Sequence, residues 1–147
     1  MNIKQAATQQ EKNELDRLLW EVLWEPLGLP RDIRGSFKLD KPQIELVAIE
    51  RDNVIGALVA NRLSRDEIEI RHIAVETDFQ KSSIGRQLIE ELFQLVGRES
   101  PLKILTHARN TSTGFFIKLG FRPVGIPVEV EFFKEHGIQI QLMSVEK

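Results

Sequence analysis

A small, polar segment of the chain has the residue types and the placement that bind phosphate. It runs Gln80-Lys81-Ser82-Ser83-Ile84-Gly85 and is followed by Arg86, and a helix is predicted to begin within it. The first turn of a helix presents amide N–H groups without intrahelical partners at the positive end of the helix dipole, and it therefore attracts anions. Lys81 and Arg86 add positive charge beside this turn. The segment predicts a pyrophosphate-binding turn, and the alternative is an ordinary strand–turn–helix with a serine cap.

Clear periodicities on both sides of this segment identify the elements that must position it. Upstream, β-branched residues predict a strand, with Ile68 and Ile70 on one alternation and Ile73 and Val75 on the other. The change of alternation predicts a β-bulge in that strand. Downstream, apolar residues recur at helical spacing and predict an amphipathic helix. These residues are Ile84, Leu88, Ile89, Leu92, Phe93, Leu95 and Val96.

The same stretch resembles the GNAT N-acetyltransferase superfamily. That superfamily carries Gln/Arg-x-x-Gly-x-Gly/Ala between its fourth strand and third helix, and Gln80 and Gly85 match this motif while Ser83 stands where the first glycine is usual. Ile73-Ala74-Val75 stands at the family's spacing before the motif. Residues 115–121, Phe-Phe-Ile-Lys-Leu-Gly-Phe, are similar to the family's Phe-Tyr-x-Lys-x-Gly-Phe segment. The combination of three motifs is specific to the family.

The resemblance covers most of residues 43–123 and implies that acetyl-CoA is the co-substrate. It implies that backbone amides of the bulged strand bond the pantetheine arm and the thioester carbonyl, because a bulge frees amides from the sheet ladder. It also implies that the turn before the helix binds the diphosphate. The residues concerned are Ile73, Ala74 and Val75 for the pantetheine, and Gln80, Lys81, Ser82, Ser83, Ile84, Gly85 and Arg86 for the diphosphate. No metal is expected.

Further along the chain the resemblance is less complete. The family commonly protonates the leaving thiolate with a tyrosine at the position of Phe116, whereas this chain contains no tyrosine. We therefore expect the thiol to leave as thiolate or to be protonated by water, with Phe116 packing against the pantetheine. The family's asparagine before this helix falls at Arg109, with Asn110 one residue later, and both are candidates for a contact with the cofactor.

Acetyl transfer to an amine also needs a group that accepts the proton of the amine. Glu69 occupies the position at which the histone-acetylating branch of the family places its catalytic glutamate, and its structural alternative is an ion pair with Arg62 or Arg71. His72 is the second candidate, because histidine titrates near neutral pH. The alternative for His72 is ordinary packing. Glu67 is the third candidate.

Composition excludes several other classes of protein. The 147 residues, of which 41% are hydrophobic, fit one globular domain over residues 1–147. A net charge of −2 argues against a broad nucleic-acid surface, and the absence of cysteine excludes disulfides, thiolate metal sites and a cysteine nucleophile. No apolar run approaches a membrane span or a signal peptide. We therefore expect a cytoplasmic protein without nucleic-acid or membrane partners.

The rest of the chain predicts the elements that surround the site. Thr8 and Glu11 form a capping-box pattern ahead of an amphipathic helix, and Pro26, Gly28 and Pro30 end that helix. Strand-like alternation follows in a hairpin that turns at Arg51-Asp52-Asn53. Further strands are predicted at residues 3–6, after Pro101, at 121–130 and at 138–145. The expected fold class is α/β, with a GNAT-like mixed, mostly antiparallel sheet, a central bulged strand and flanking helices.

We interpret the chain as an N-acetyltransferase that moves an acetyl group from acetyl-CoA to a primary amine of a small molecule or peptide. Ser83 and Phe116 depart from the family motifs and keep two alternatives open. One is an acyl-CoA-binding module that has lost catalysis, and the other is a structural or interaction domain of the same fold. The late strands also allow a homodimer.

Overall fold

A mixed β-sheet organises the protein. The computed structural model describes residues 1–37, 42–80, 82–97 and 102–146. Within these residues seven strands form a sheet in the order β1-β2-β3-β4-β5-β7-β6. They are β1 Asn2–Gln5, β2 Gln43–Glu50, β3 Asn53–Ser64, β4 Glu67–Val75, β5 Lys103–Arg109, β6 Arg122–Pro123 and β7 Ile140–Glu146. The described β4–β5 pairing is parallel, and the pairings described for β1–β2, β2–β3, β5–β7 and β6–β7 are antiparallel. The prediction of a mixed, mostly antiparallel sheet is confirmed.

Helices occupy most of the connections between the strands. The α-helices are α1 Gln9–Leu19, α2 Arg34–Phe37, α3 Ile84–Val96, α4 Thr113–Lys118 and α5 Glu131–Lys134. A π-helical turn, Trp20–Trp24, and a 3₁₀ turn, Glu25–Leu27, extend α1, and another 3₁₀ turn, Thr77–Phe79, follows β4.

The chain divides into two compact units. Unit 1 comprises Met1–Asn61 and His72–Arg98, and unit 2 comprises Arg62–Arg71 and Glu99–Lys147. Strand β4 contributes residues to both units.

The core of unit 1 forms where α1 packs on the sheet. Leu15, Leu18 and Leu19 lie at helical spacing on one face of α1 and are at most 1% exposed. They cluster with Trp24 and with apolar residues of the strands, namely Val47, Val54, Ala57, Val59 and Ala74. The opposite sheet face receives α3 at Gly56, where an added Cβ would lie 2.9 Å from Ile84 Cγ2 and 3.0 Å from Leu88 Cδ1. The missing side chain of Gly56 therefore lets the first turn of α3 lie close to β3.

The β2–β3 hairpin confirms the turn predicted at residues 51–53. Arg51 and Asp52 have φ of 49° and 65°, the left-handed conformation at both central residues of a two-residue hairpin turn. That turn carries the right-handed twist of the strands through the connection. The sheet irregularity recorded in this hairpin lies between Ala48 and Ile49 of β2.

In unit 2, β5 lies between the first residues of β4 and the last strand, β7. The β4–β5 register pairs Glu67 with Lys103 and Ile70 with Thr106. The Thr106 hydroxyl donates to the Ile70 carbonyl at 3.2 Å and is buried. The described pairing of β4 covers Glu67–Ile70, so the bulge predicted near Ile73 stays a prediction.

The end of the chain differs from its prediction. Residues 121–130 were expected to form one strand, but the structure has only Arg122–Pro123 in β6 and a bridge between Val128 and Ile140. Pro123 and Pro127 lack an amide proton, and Gly125 has φ of 72°, so the extended ladder is broken at three places. The next residues, Glu131–Lys134, form α5, which the sequence analysis did not predict.

The capping box at the start of α1 is confirmed and has a measurable consequence. The Thr8 side chain accepts from the Glu11 amide at 3.1 Å, and Glu11 Oε1 accepts from the Thr8 amide at 3.0 Å. Thr8→Ala should therefore lower the free energy of unfolding by about 1 kcal/mol. Chemical denaturation at neutral pH measures this loss, and an unchanged unfolding midpoint would contradict it.

Glu11 should also make stability depend on pH. Its pKa is lowered to about 2, chiefly by its bond with Lys4 and then by the amides of Thr8 and Ala7. Because the folded pKa lies below the ordinary value of 4.5, the stabilisation is present above pH 4.5 and is lost as the pH falls towards 2. Glu11→Gln should thus lower the melting temperature at pH 7, and its difference from the wild type should shrink towards pH 2. Glu90→Gln, which changes an exposed carboxylate of α3, is the control.

Candidate functional site

The connection from β4 to α3 is closed by its own hydrogen bonds. The Glu76 amide donates to the Ile55 carbonyl of β3 at 2.8 Å. Gln80 Nε2 donates to the Val75 carbonyl at 3.0 Å, which ties the turn back to the last residue of β4. The Ser82 hydroxyl donates to the Phe79 carbonyl. The turn that precedes α3 is therefore fixed by contacts with its own strands and loop, and Lys81 lies outside the described residues.

Ser83 begins α3 in a left-handed conformation. Its φ is 68° and its ψ is 8°. Its carbonyl accepts from the Gln87 amide at 3.0 Å, and this bond closes the first turn of the helix. Its hydroxyl accepts from Gln87 Nε2 at 3.0 Å. Within the described residues the Ser83 side chain makes no capping bond to α3, so the alternative of a simple serine cap does not apply.

The first turn of α3 has the properties of an anion-binding turn. The helix is 13 residues long, and its leading amides, from Ile84 onward, have no carbonyl of the same helix to pair with. Ile84 is buried against the sheet, Gly85 is half-buried, and Ser82, Ser83 and Arg86 are exposed. The polar residues of the predicted turn thus face solvent while its apolar residue anchors the helix.

The last residues of β4 lie in the interior of unit 1 or are partly covered by it. Ala74 is 4% exposed and belongs to the unit 1 core, and Ile73 and Val75 are half-buried. The ring of His72 packs edge-on against Trp24, with centroids 5.0 Å apart, and lies 6.2 Å from the ring of Phe37. This contact is the packing role that was the alternative for His72.

In unit 2, the Glu69 carboxylate contacts two side chains, those of Arg71 and His107. Its side chain is 10% exposed. Glu69 Oε1 lies 3.5 Å from Arg71 Nη1, and Oε2 lies 3.0 Å from His107 Nδ1. The ion pair with Arg71 was the structural alternative for Glu69. Arg62, the other partner considered, donates instead to the Arg65 carbonyl at 3.0 Å.

Asn110 and Arg109 are engaged within unit 2. Asn110 Oδ1 accepts from the Gln139 amide at 3.2 Å, and Asn110 Nδ2 donates to the Gly137 carbonyl at 3.4 Å, so this side chain joins the end of β5 to the loop before β7. The Arg109 guanidinium lies 5.6 Å from the ring centroid of Phe133, and burial lowers the pKa of Arg109.

Phe116 lies in an aromatic cluster of the same unit. Its side chain is 2% exposed, with ring centroids 5.1 Å from Phe115 and 5.2 Å from Phe121. The cofactor contacts expected of Phe116 and Asn110 stay predictions.

Among the residues that the structure describes, no group of three or more His, Asp or Glu side chains is arranged to hold a metal ion. In the same residues, no helix has both the length and the apolar composition that crossing a membrane requires.

The sequence matches the family of the acetyltransferase (GNAT) domain over residues 27–147. The chain belongs to the GNAT acetyltransferase family. This confirms the resemblance that was drawn from the turn motif and the Phe-Phe segment.

Solved structures agree with this GNAT assignment at the level of the fold. An aminoglycoside 6'-N-acetyltransferase complexed with coenzyme A superposes with a TM-score of 0.81 at 17% identity, covering 99% of this chain and 97% of the other. Tetrahymena GCN5 has a TM-score of 0.74 at 18% identity, covering 99% and 96%. Ard1 from Thermoplasma volcanium has a TM-score of 0.75 at 16% identity, with the same coverage. At these identities the likeness shows the fold, and the predicted GNAT-like α/β class is confirmed.

The left-handed backbone at Ser83 accounts for the glycine that GNAT motifs usually have there. A residue with a Cβ is strained at positive φ by about 1 kcal/mol, whereas glycine is not. Ser83→Gly should therefore raise the free energy of unfolding by up to about 1 kcal/mol, because relief of strain is partly offset by the greater entropy of the unfolded chain. Chemical denaturation measures the change.

Ser82→Gly is the matched control for Ser83→Gly. Ser82 is the neighbouring serine of the same turn, but it is not among the residues with positive φ, and its hydroxyl bonds the Phe79 carbonyl. Glycine at position 82 should therefore destabilise the protein. If both glycine variants lost stability equally, the left-handed conformation of Ser83 would be wrong.

His107, which contacts the candidate base Glu69, was not identified from the sequence. The signal for it was weak, because Glu69 and His107 lie 38 residues apart and meet only through the parallel pairing of β4 with β5. Once that register is known, His107 can be identified, because Glu69 pairs with Leu105 and His107 lies two residues further along β5.

Proposed function

We propose that this GNAT chain transfers an acetyl group from acetyl-CoA to a primary amine of a small molecule or peptide. The observation that carries the proposal is the turn before α3. A left-handed residue there leads directly into a 13-residue helix whose first turn has an exposed arginine, Arg86. This arrangement suits a diphosphate, which needs backbone donors and positive charge together.

In this proposal, residues of unit 1 bind the donor. The diphosphate would be held by the amides of the α3 first turn, by the exposed Ser82 and Ser83, and by Arg86. Gln80 would keep the turn in place through its bond to Val75. The pantetheine would be bonded by backbone amides of Ile73, Ala74 and Val75. The remaining candidates for cofactor contact are Lys81, Asn110 and Phe116.

The chemistry of this chain then consists of binding, orientation and proton removal. Acetyl-CoA supplies an acyl group activated as a thioester. The acceptor nitrogen must lose a proton to attack, so a group that accepts this proton contributes typically about 10²–10⁴-fold to the rate. Glu69 and His72 are the candidates carried over from the sequence. Since the chain has no tyrosine, the thiolate leaves without a tyrosine acid.

A catalytically inactive acyl-CoA-binding module is the second candidate. It is favoured by Phe116, which lies buried in the aromatic cluster at the position where the family commonly has its acid. Acetyl-CoA binding without turnover would identify that function.

The proposed function is tested by assaying the wild-type chain with acetyl-CoA and a panel of amines. The panel includes aminoglycosides, polyamines, lysine-containing peptides and peptides with free N-termini. We expect release of free thiol that depends on an amine, with the N-acetyl product identified by mass spectrometry. Calorimetry runs in parallel. Binding without transfer favours the inactive module, and absence of binding favours an interaction domain.

A further inference from the structure

A buried carboxylate and an exposed imidazole are paired on two neighbouring strands of unit 2. Glu69 Oε2 lies 3.0 Å from His107 Nδ1. The Glu69 side chain is 10% exposed and that of His107 is 57% exposed. The contact thus joins a fixed, buried group to one that meets solvent.

The strands hold this pair in a defined geometry. The parallel register places Glu69 opposite Leu105, so that the side chain two residues further along β5, His107, leaves the same face of the sheet. The neighbouring Thr106 connects the two strands through the hydrogen bond that its hydroxyl donates to the Ile70 carbonyl. Arg71 Nη1 lies 3.5 Å from the other oxygen of Glu69.

We propose that Glu69 and His107 act as a dyad in which His107 Nε2 accepts the proton of the acceptor amine and Glu69 is its positioning residue. This proposal rests on the acetyl transfer proposed above. A carboxylate that accepts a hydrogen bond from Nδ1–H fixes the tautomer of the ring and leaves the Nε2 lone pair available. It also stabilises the imidazolium that forms when Nε2 takes up a proton.

The division of roles follows from exposure. Both oxygens of Glu69 are engaged, one with Arg71 and one with His107, and its side chain is nearly buried. An amine that approaches from solvent therefore meets the imidazole before the carboxylate. His107 is the group that can touch the substrate, and Glu69 acts through it.

Acetyl transfer forms one bond to the acetyl carbon and breaks another. The amine nitrogen forms the new C–N bond to the acetyl carbonyl carbon, and the C–S bond breaks with its electron pair remaining on sulfur. An ammonium acceptor gives up two protons, and the one lost as the amide forms passes to solvent. The one lost before attack moves to His107 Nε2, which makes the ring an imidazolium beside Glu69. His107 then releases this proton to solvent, and the CoA sulfur leaves as thiolate.

His107→Asn separates the proposed role from a merely structural one. The asparagine Nδ2 takes the place of His107 Nδ1 and can still donate to Glu69, but nothing replaces Nε2. We expect kcat to fall at least about 100-fold, while acetyl-CoA affinity and melting temperature stay close to those of the wild type. The matched control is His136→Asn, since His136 is an exposed histidine of the same unit that packs on Phe132.

The tautomer of His107 gives a second readout that needs no turnover. In ¹⁵N NMR of the wild-type chain at a pH where the ring is neutral, we expect the proton on Nδ1 and an unprotonated Nε2. In Glu69→Gln the side-chain amide can donate to Nδ1 as well as accept from it. The ring should therefore shift towards the Nε2–H form. A wild-type ring that carries its proton on Nε2 would overturn the dyad.

The kinetic results distinguish failure of the dyad from failure of the proposed function. Wild-type turnover with an undiminished kcat in His107→Asn would overturn the dyad and leave the acetyl transfer standing. Absence of transfer to every amine by the wild type would overturn both. Loss of kcat in His107→Asn alone, with His136→Asn unaffected, supports the dyad.

Discussion

Gly85→Asp is expected to weaken acetyl-CoA binding at least tenfold, which corresponds to about 1.4 kcal/mol. Gly85 is the second residue of α3 and is half-buried. An aspartate there would place a carboxylate in the helix turn that is proposed to bind the diphosphate, so bulk and negative charge would oppose the ligand. Isothermal titration calorimetry with acetyl-CoA measures the effect.

The same substitution should leave the fold intact, which makes the binding result easy to interpret. A negative charge in the first turn of a helix interacts favourably with the helix dipole. The melting temperature of Gly85→Asp should therefore be close to that of the wild type. A large fall in melting temperature would show that the weaker binding came from lost structure.

Gly114→Asp is the matched control for the binding experiment. Gly114 is the second residue of α4, as Gly85 is of α3, and a Cβ built at Gly114 has no neighbour within 4 Å among the described residues. Gly114→Asp introduces the same charge at the same position of a helix, but outside the turn that is proposed to bind the diphosphate. Normal binding by Gly85→Asp would overturn the assignment of the turn, and an equal loss in Gly114→Asp would show that the charge acts without regard to the turn.

Features set by local sequence were predictable. The capping box of Thr8 and Glu11, the hairpin turn at Arg51 and Asp52, and the start of α3 beyond Ser83 are each specified by residues within a few positions of one another. Short-range hydrogen bonds and backbone preferences decide such features, and both are visible in the residue types.

Features set by pairing between distant segments were not predictable in the same way. The bond between Glu69 and His107 depends on the register of two parallel strands that α3 separates, and no local pattern reports that register. The single strand expected at residues 121–130 was wrong, because Pro123 and Pro127 have no amide proton to donate to a strand ladder. The consequence for the site is that the turn before α3 followed from the sequence, whereas the partner of the candidate base did not.

Glu69→Gln is expected to lower kcat by about 10²–10⁴-fold while acetyl-CoA affinity stays nearly unchanged. Glutamine keeps the shape of the side chain but removes the negative charge that would accept the proton or hold the imidazolium of His107. The loss should shrink at high pH, where more of the acceptor amine is already neutral. Steady-state kinetics from neutral to alkaline pH, with calorimetry for acetyl-CoA, measures both quantities.

His72→Gln tests the second candidate base that the sequence predicted. Because His72 packs on Trp24, its loss should cost much less kcat than the loss of Glu69. If Glu69→Gln were fully active and His72→Gln inactive, the two roles would have to be exchanged. If these two variants and His107→Asn were all active, water would deprotonate the amine, and the rate would come from proximity and orientation of the two substrates.

A double variant, Glu69→Gln with His107→Asn, decides whether Glu69 acts directly or through His107. Groups that work as one unit lose most of their contribution when either is removed, so the second substitution then adds little. We expect the double variant to lose no more than about tenfold beyond the more damaging single variant. Losses that multiply would instead indicate two independent contributions. In that case Glu69 would accept the proton itself, and His107 would act separately from it.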